Sequence, residues 1–108
     1  MIDYGLFRKV DMRVGTVVSV KLNEKARVPS FVLTVDLGDL GTRLSSAQIV
    51  DLYEAEQLVG RQVVCVVNFP PKRIAGVKSE VLILGVDGDG GVVLLAPERS
   101  VGNGVRVY

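Results

Sequence analysis

The 108-residue chain has no histidine, no tryptophan and a single cysteine. Without histidine it lacks the commonest general base and the commonest metal-ligating ring. One thiol can build neither a thiolate metal site nor an internal disulfide, which suits a reducing compartment. That thiol, Cys65, lies in "VVCVV", where the surroundings favour a small apolar core residue over a nucleophile. No apolar run approaches the ~18 residues of a membrane span, and "MIDYGLFRKVDMR" lacks the apolar centre of a signal peptide. Together these absences point to a soluble, cytoplasmic protein that is not an enzyme, with no metal site and no cofactor. Acid pairs do occur at Glu54/Glu56 and Asp87/Asp89, but in a helical segment and a glycine turn, where solvated-surface and turn roles suffice. "GVDGDGG" resembles a phosphate loop only in its glycines; it precedes a strand, so the helix N-terminus that binds phosphate is missing.

What the chain does have is apolar bulk. Hydrophobic residues make up 48% of it and mean hydropathy is +0.36, which excludes disorder and calls for a filled interior or a buried subunit interface. Thirteen basic residues against twelve acidic ones give a net charge of +1, so any polyanion signal must be local. The length fits one domain spanning residues 1–108.

The periodicity is mostly that of strands. Residues 3–9 predict a short N-terminal helical turn, with Asp3 placed to cap it. From Val10 to Leu22 the even positions (Val14, Val18, Val20) alternate with Arg13, Gly15 and Ser19, predicting one long strand with a bend or bulge at Gly15. Alternation resumes at 31–37 and again near 42–46. Residues 51–58, "DLYEAEQL", predict a helix that Gly60 ends. Residues 62–68 form an almost wholly apolar strand. Strands at 81–86 and in "VVLLA" are joined by the glycine-rich turn "DGDGG", and a short strand closes the chain. The order β-β-β-α-β-β is that of the OB-fold, an all-β five-stranded Greek-key barrel with a short helix between its third and fourth strands, here with small N- and C-terminal extensions. A plain β-sandwich is the rival, but sandwiches seldom place a helix there.

OB-folds bind on one face, flanked by the loops joining strands one to two and four to five. Those loops are residues 23–29 and the stretch "NFPPKRIAGVKS" at 68–79. They carry Lys25, Arg27, Lys72, Arg73 and Lys78, five of the thirteen basic residues, where an even spread would leave two or three. Arg43, entering the third strand, adds to them. Pro70 and Pro71 fix φ, so the second loop is held, and a held loop loses less entropy on binding. Asn68, Ser79 and Gln48 offer hydrogen bonds to phosphates, 2′-hydroxyls or base edges. This composition suits structured RNA read through backbone and shape, because only Phe69 among six aromatic residues lies at the site. Phe69, Ile74 and Val77 leave room for an apolar peptide instead. Basic residues in exposed loops also serve simply as solubilisers.

"VDMRVGTVVSV", the long block from "SSAQIVDLYEAEQL" through "VNFPPKRIAGVKSEVLILG", and "VVLLAPE" together resemble the CsaA-type proteins of the tRNA-binding-domain family, over about residues 5–108. Related domains are appended to methionyl- and phenylalanyl-tRNA synthetases. The resemblance implies an OB-fold, a homodimer, tRNA binding without marked sequence preference, and an export-related chaperone role towards unfolded preproteins. The family's loop pattern falls on Asn68, Pro71, Lys72, Gly76 and Ser79. "SSAQI" and "SEVLIL" depart from the synthetase-appended form and point to the CsaA branch, while Glu80 puts a negative charge beside Ser79. For the dimer, Ile2, Tyr4, Leu6 and Phe7 at one end of the chain and Val107 and Tyr108 at the other are the candidates to meet across a two-fold axis. The same segments could instead plug the ends of their own barrel.

Overall fold

A computed structural model describes all of residues 1–108. The N-terminal turn is α1 (Tyr4–Arg8), and the Leu6 N–H donates to Asp3 Oδ1 at 3.0 Å, the expected cap. Strand β1 (Met12–Leu22) follows. Its first half, Met12 to Thr16, pairs with β4 (Gln62–Val66), and its second half, from Thr16, pairs with β2 (Phe31–Asp36). One strand thus serves two neighbours, which is how a sheet begins to close.

Gly15 permits this turnover by close approach. A Cβ there would lie 2.5 Å from Val35 Cγ1 and 2.8 Å from the Asp36 carbonyl oxygen. The bulge itself lies elsewhere, between Val17 and Ser19. Because side-chain facing has a period of two, one extra residue flips every later position. Val17, on the polar side of the simple alternation, is fully buried, and Val18, on its apolar side, is 45% exposed.

Strand β3 (Thr42–Ala47) follows a single 3₁₀ turn at Gly38–Leu40 and pairs with β2. Helix α2 is only Ala55–Leu58, shorter than the predicted 51–58, because a capping box between Glu54 and Gln57 sets its start there. Gly60, at φ 92°, ends it as expected. Of the predicted strand at 62–68, β4 keeps Gln62–Val66. The predicted strand 81–86 is divided at Leu84 into β7 (Leu82–Ile83), which pairs with β4, and β8 (Gly85–Gly88), which forms a hairpin with β9 (Gly91–Leu94). Between β4 and β7 lies a second, detached hairpin of β5 (Lys72–Ile74) and β6 (Val77–Ser79).

The main sheet has the order β3-β2-β1-β4-β7. It nearly closes on itself where the Glu80 and Val81 N–H groups donate to the Leu44 carbonyl at 2.8 and 3.4 Å. One sheet curling onto its own edge is an OB-type barrel, and the rival sandwich of two facing sheets is excluded. The predicted C-terminal strand is reduced to a bridge between Arg13 and Arg106, flanked by main-chain bonds from Val14 to Val105 and from Val107 to Met12.

The barrel is filled by Val17, Leu33, Val35, Leu37, Leu58, Val63 and Cys65, all buried. Burial pushes the Cys65 thiol up to about 12, so it stays protonated and unreactive near neutral pH. Native protein at pH 8 should therefore leave a disulfide reagent unreduced until the chain unfolds. Prompt stoichiometric reaction without loss of secondary structure would contradict that burial.

Candidate nucleic-acid interface

The β5–β6 hairpin organises the site. Ala75 at φ 46° and Gly76 at φ 83° form its two-residue turn, both with the positive φ of a type I′ turn. Glycine adopts this conformation freely, whereas Ala75 does so at a cost of about 1 kcal/mol or more. The tip reaches the 23–30 loop, and a Cβ built on Gly76 would lie 3.6 Å from Lys25 Cδ. Lys25, Arg27, Lys72, Arg73 and Lys78 are all exposed, and the fold brings the two basic loops together as the strand order predicted.

Register divides the hairpin into two faces. Lys72 pairs with Ser79 and Ile74 with Val77, while Arg73 stands directly opposite Lys78. Alternation places the first two pairs on one face and the two cations on the other. Like charges directly opposite each other destabilise a ribbon. Neither is offset by an acid, since the ion pairs of the molecule involve only Arg13, Arg106 and Arg99 with Asp11 and Glu98.

Around the other face run three adjoining grooves. One of about 580 Å³ lies between Arg27, Val28, Gln48, Ile49, Ile74 and Ile83. A second, of about 430 Å³, includes Phe69, Pro70, Lys72, Ser79 and Leu82. The third, of about 390 Å³, includes Lys21, Lys25 and Val77. Each therefore joins an apolar wall to at least one cation. Gln48, Phe69, Ile74 and Val77 all line these grooves. Lys21, Ser46 and Leu82 line them as well. Lys21 was missed because it ends an alternating strand, and only its adjacency to the 23–30 loop could have marked it.

Several polar candidates are already engaged. Asn68 accepts from the Asp11 N–H at 3.0 Å and donates to the Lys9 carbonyl at 2.7 Å. Ser79 Oγ accepts from the Ser46 N–H at 3.0 Å. The Arg43 guanidinium donates to the Leu40 carbonyl at 3.0 and 3.2 Å. Arg43 pairs with Val35, whereas the 23–30 loop enters β2 opposite Ala47; four residues of strand separate the two ends, about 13 Å. Glu80 turns its carboxylate onto the Leu44 N–H at 3.1 Å. Its charge fastens the hairpin's base to the barrel edge.

The terminal candidates lie away from the hairpin. Tyr4, Phe7, Val107 and Tyr108 border a cleft of about 230 Å³ with Arg8, Val10 and Arg106, and the Tyr4 and Phe7 rings are 6.2 Å apart. Ile2, Tyr4, Leu6 and Tyr108 remain exposed, Tyr108 almost completely. They do not plug the barrel. Beneath them Arg13 hydrogen-bonds Asp11 at 2.6 Å and holds that carboxyl below its ordinary range.

Residues 12–106 match the family described as "Putative tRNA binding domain". The chain belongs to this family. Within the tRNA-binding-domain family, it is 49% identical to the chaperone CsaA of Bacillus anthracis str. Ames, with a TM-score of 0.93 over 100% of this chain and 99% of that one. The CsaA chaperone protein of Picrophilus torridus is 40% identical, with a TM-score of 0.94 and complete coverage of both chains. A MetRS-related protein of Pyrococcus horikoshii is 30% identical at a TM-score of 0.88, covering 100% of this chain and 98% of that one. A curated relative, the methionine–tRNA ligase of Methanococcoides burtonii, is 36% identical over 109 residues. That match takes in 100% of this chain and 16% of the ligase. The chain is thus a CsaA-type member of a family whose domains also occur within synthetases. No helix is long and apolar enough to cross a membrane.

Proposed function

We propose that the chain binds tRNA through the outer face of the β5–β6 hairpin and the 23–30 loop, by backbone and shape with little base selectivity. The cross-strand Arg73–Lys78 pair without a counter-ion carries this reading. Such a pair costs stability in the free protein and is relieved by a polyanion. Lys25, Arg27 and Lys72 extend the same field along the grooves. Gln48 faces the RNA from the groove wall. Asn68 and Ser79 hold the loop in position from behind, and Arg43 lies at the edge of the surface. Titrating unfractionated tRNA at rising salt tests it. With four to five phosphate contacts, log affinity should fall against log salt with a slope of about −3 to −4. An affinity indifferent to salt would refute the proposal.

A second reading, an export-related chaperone that holds unfolded preproteins, is favoured by the aliphatic groove of about 580 Å³ and by the likeness to two chaperones. It works in a dimer joined through Ile2, Tyr4, Leu6, Phe7, Val107 and Tyr108. Light scattering at micromolar concentration that reports only a monomer would remove the dimer from this account.

A further inference from the structure

Phe69 is an aromatic ring that the fold leaves unused. It is 54% exposed and stands apart from the barrel core. The other five aromatic residues have places elsewhere. Phe31 is buried, Tyr53 accepts a hydrogen bond from the Leu94 N–H, and Tyr4, Phe7 and Tyr108 border the terminal cleft.

The backbone on both sides of Phe69 is fixed. Before it, the Asn68 side chain bonds Asp11 and Lys9, and the Val67 N–H donates to the Asp11 carbonyl at 2.9 Å. After it come Pro70 and Pro71, whose rings fix φ. An exposed ring on so rigid a base gives up little entropy when something lies on it. The groove beside it, about 430 Å³, is lined by Lys72, Ser46, Ser79 and Glu80, with the half-exposed Leu82 adding apolar wall. A small ligand pocket starts at about 300 Å³, so one nucleotide fits.

From this arrangement we infer that Phe69 is a stacking platform for one unpaired nucleobase, with Lys72 on the adjoining phosphate. A single ring stacks a single base, so the preferred RNA is structured but presents one splayed nucleotide at a loop, bulge or end. Lys72 favours this occupant over a neutral apolar peptide. It is an exposed cation without an ion-pair partner, and Glu80, the acid that also lines this groove, turns its carboxylate onto the Leu44 N–H. The inference rests on the tRNA-binding reading and adds to it one contact, in the groove on the hairpin's other face.

The test compares wild type with Phe69→Leu and Phe69→Tyr, using a short single-stranded oligoribonucleotide carrying 2-aminopurine, a blunt RNA duplex of equal nucleotide count, and unfractionated tRNA. Phe69→Leu keeps apolar bulk and removes the π face. It should weaken the single strand and tRNA about tenfold, abolish 2-aminopurine quenching, and leave the duplex and the salt slope unchanged. Phe69→Tyr should behave as wild type. Single-strand affinity and quenching equal to wild type in Phe69→Leu would overturn the inference while the salt slope still supports tRNA binding. If Phe69→Leu leaves RNA binding intact but reduces suppression of client aggregation, the groove is a peptide site and the inference is again overturned. Salt-insensitive binding of every RNA by wild type would fell both readings together.

Discussion

Reversing Arg73 and Lys78 together to glutamate should lower tRNA affinity about a hundredfold, each lost charge-assisted phosphate contact contributing about a factor of ten. The two positions share one face of a two-stranded ribbon, so both contacts go at once and the salt slope should flatten by nearly two contacts. The single reversal Arg73→Glu separates binding from folding. It sets a carboxylate directly opposite Lys78 across the strands, and this opposite-charge pair should raise hairpin stability by about 0.2–1 kcal/mol. Affinity should nevertheless fall by about tenfold. A variant that is more stable and binds less is the signature of charge held against stability for a ligand. Measuring binding at fixed salt alongside the thermal midpoint reads both quantities. If the double reversal binds as wild type, the outer face of the hairpin does not meet phosphate, and the 23–30 loop and Lys72 must carry the contact.

How the sequence foreshadows this surface follows from which signals are local. Strand order, the Asp3 cap, the Gly60 stop and the placing of two basic loops side by side all follow from short-range patterns and from the connectivity rules of the barrel. The phase of β1 does not. Val17 and Val18 are identical residues, and only the bulge decides which is buried. The break at Leu84 is likewise set by tertiary partners, since its N–H donates to Val64 and its carbonyl accepts from Leu95. At the site, charge was visible and orientation was not. The pattern Lys-Arg-Ile-Ala-Gly-Val-Lys-Ser does not announce a hairpin with Ala75 in a left-handed turn, and that turn is what sends Arg73 and Lys78 to one side and Ile74 and Val77 to the other. Asn68 and Ser79 show the same limit from the polar side. Each has the chemistry to touch RNA, and each spends it on a backbone N–H within the fold.

The largest stability loss is expected at Gly104. Its φ is 90°, and a Cβ there would stand 2.5 Å from the Leu37 carbonyl oxygen. The contact is reciprocal, because Gly38, at φ 66°, would place a Cβ against the Asn103 carbonyl oxygen. Two glycines therefore let two backbones touch, and the C-terminal segment depends on that touch. The Gly104 N–H donates to the Val14 carbonyl at 2.7 Å, and its own carbonyl accepts from Arg13 at 3.0 Å. Gly104→Ala adds a left-handed penalty of about 1–2 kcal/mol to overpacking of about 1–3 kcal/mol against a main-chain atom that cannot swing aside. A total near 3 kcal/mol would lower the thermal midpoint by about 10–25 °C in a domain of this size. Gly60→Ala is the control, for Gly60 also has a positive φ, 92°, but nothing lies within 4 Å of its built Cβ. Equal losses in the two variants would mean that the backbone contact contributes nothing. A larger loss at Gly104 should also weaken the self-association proposed above, because Val107 and Tyr108 lie three and four residues further along the segment it docks.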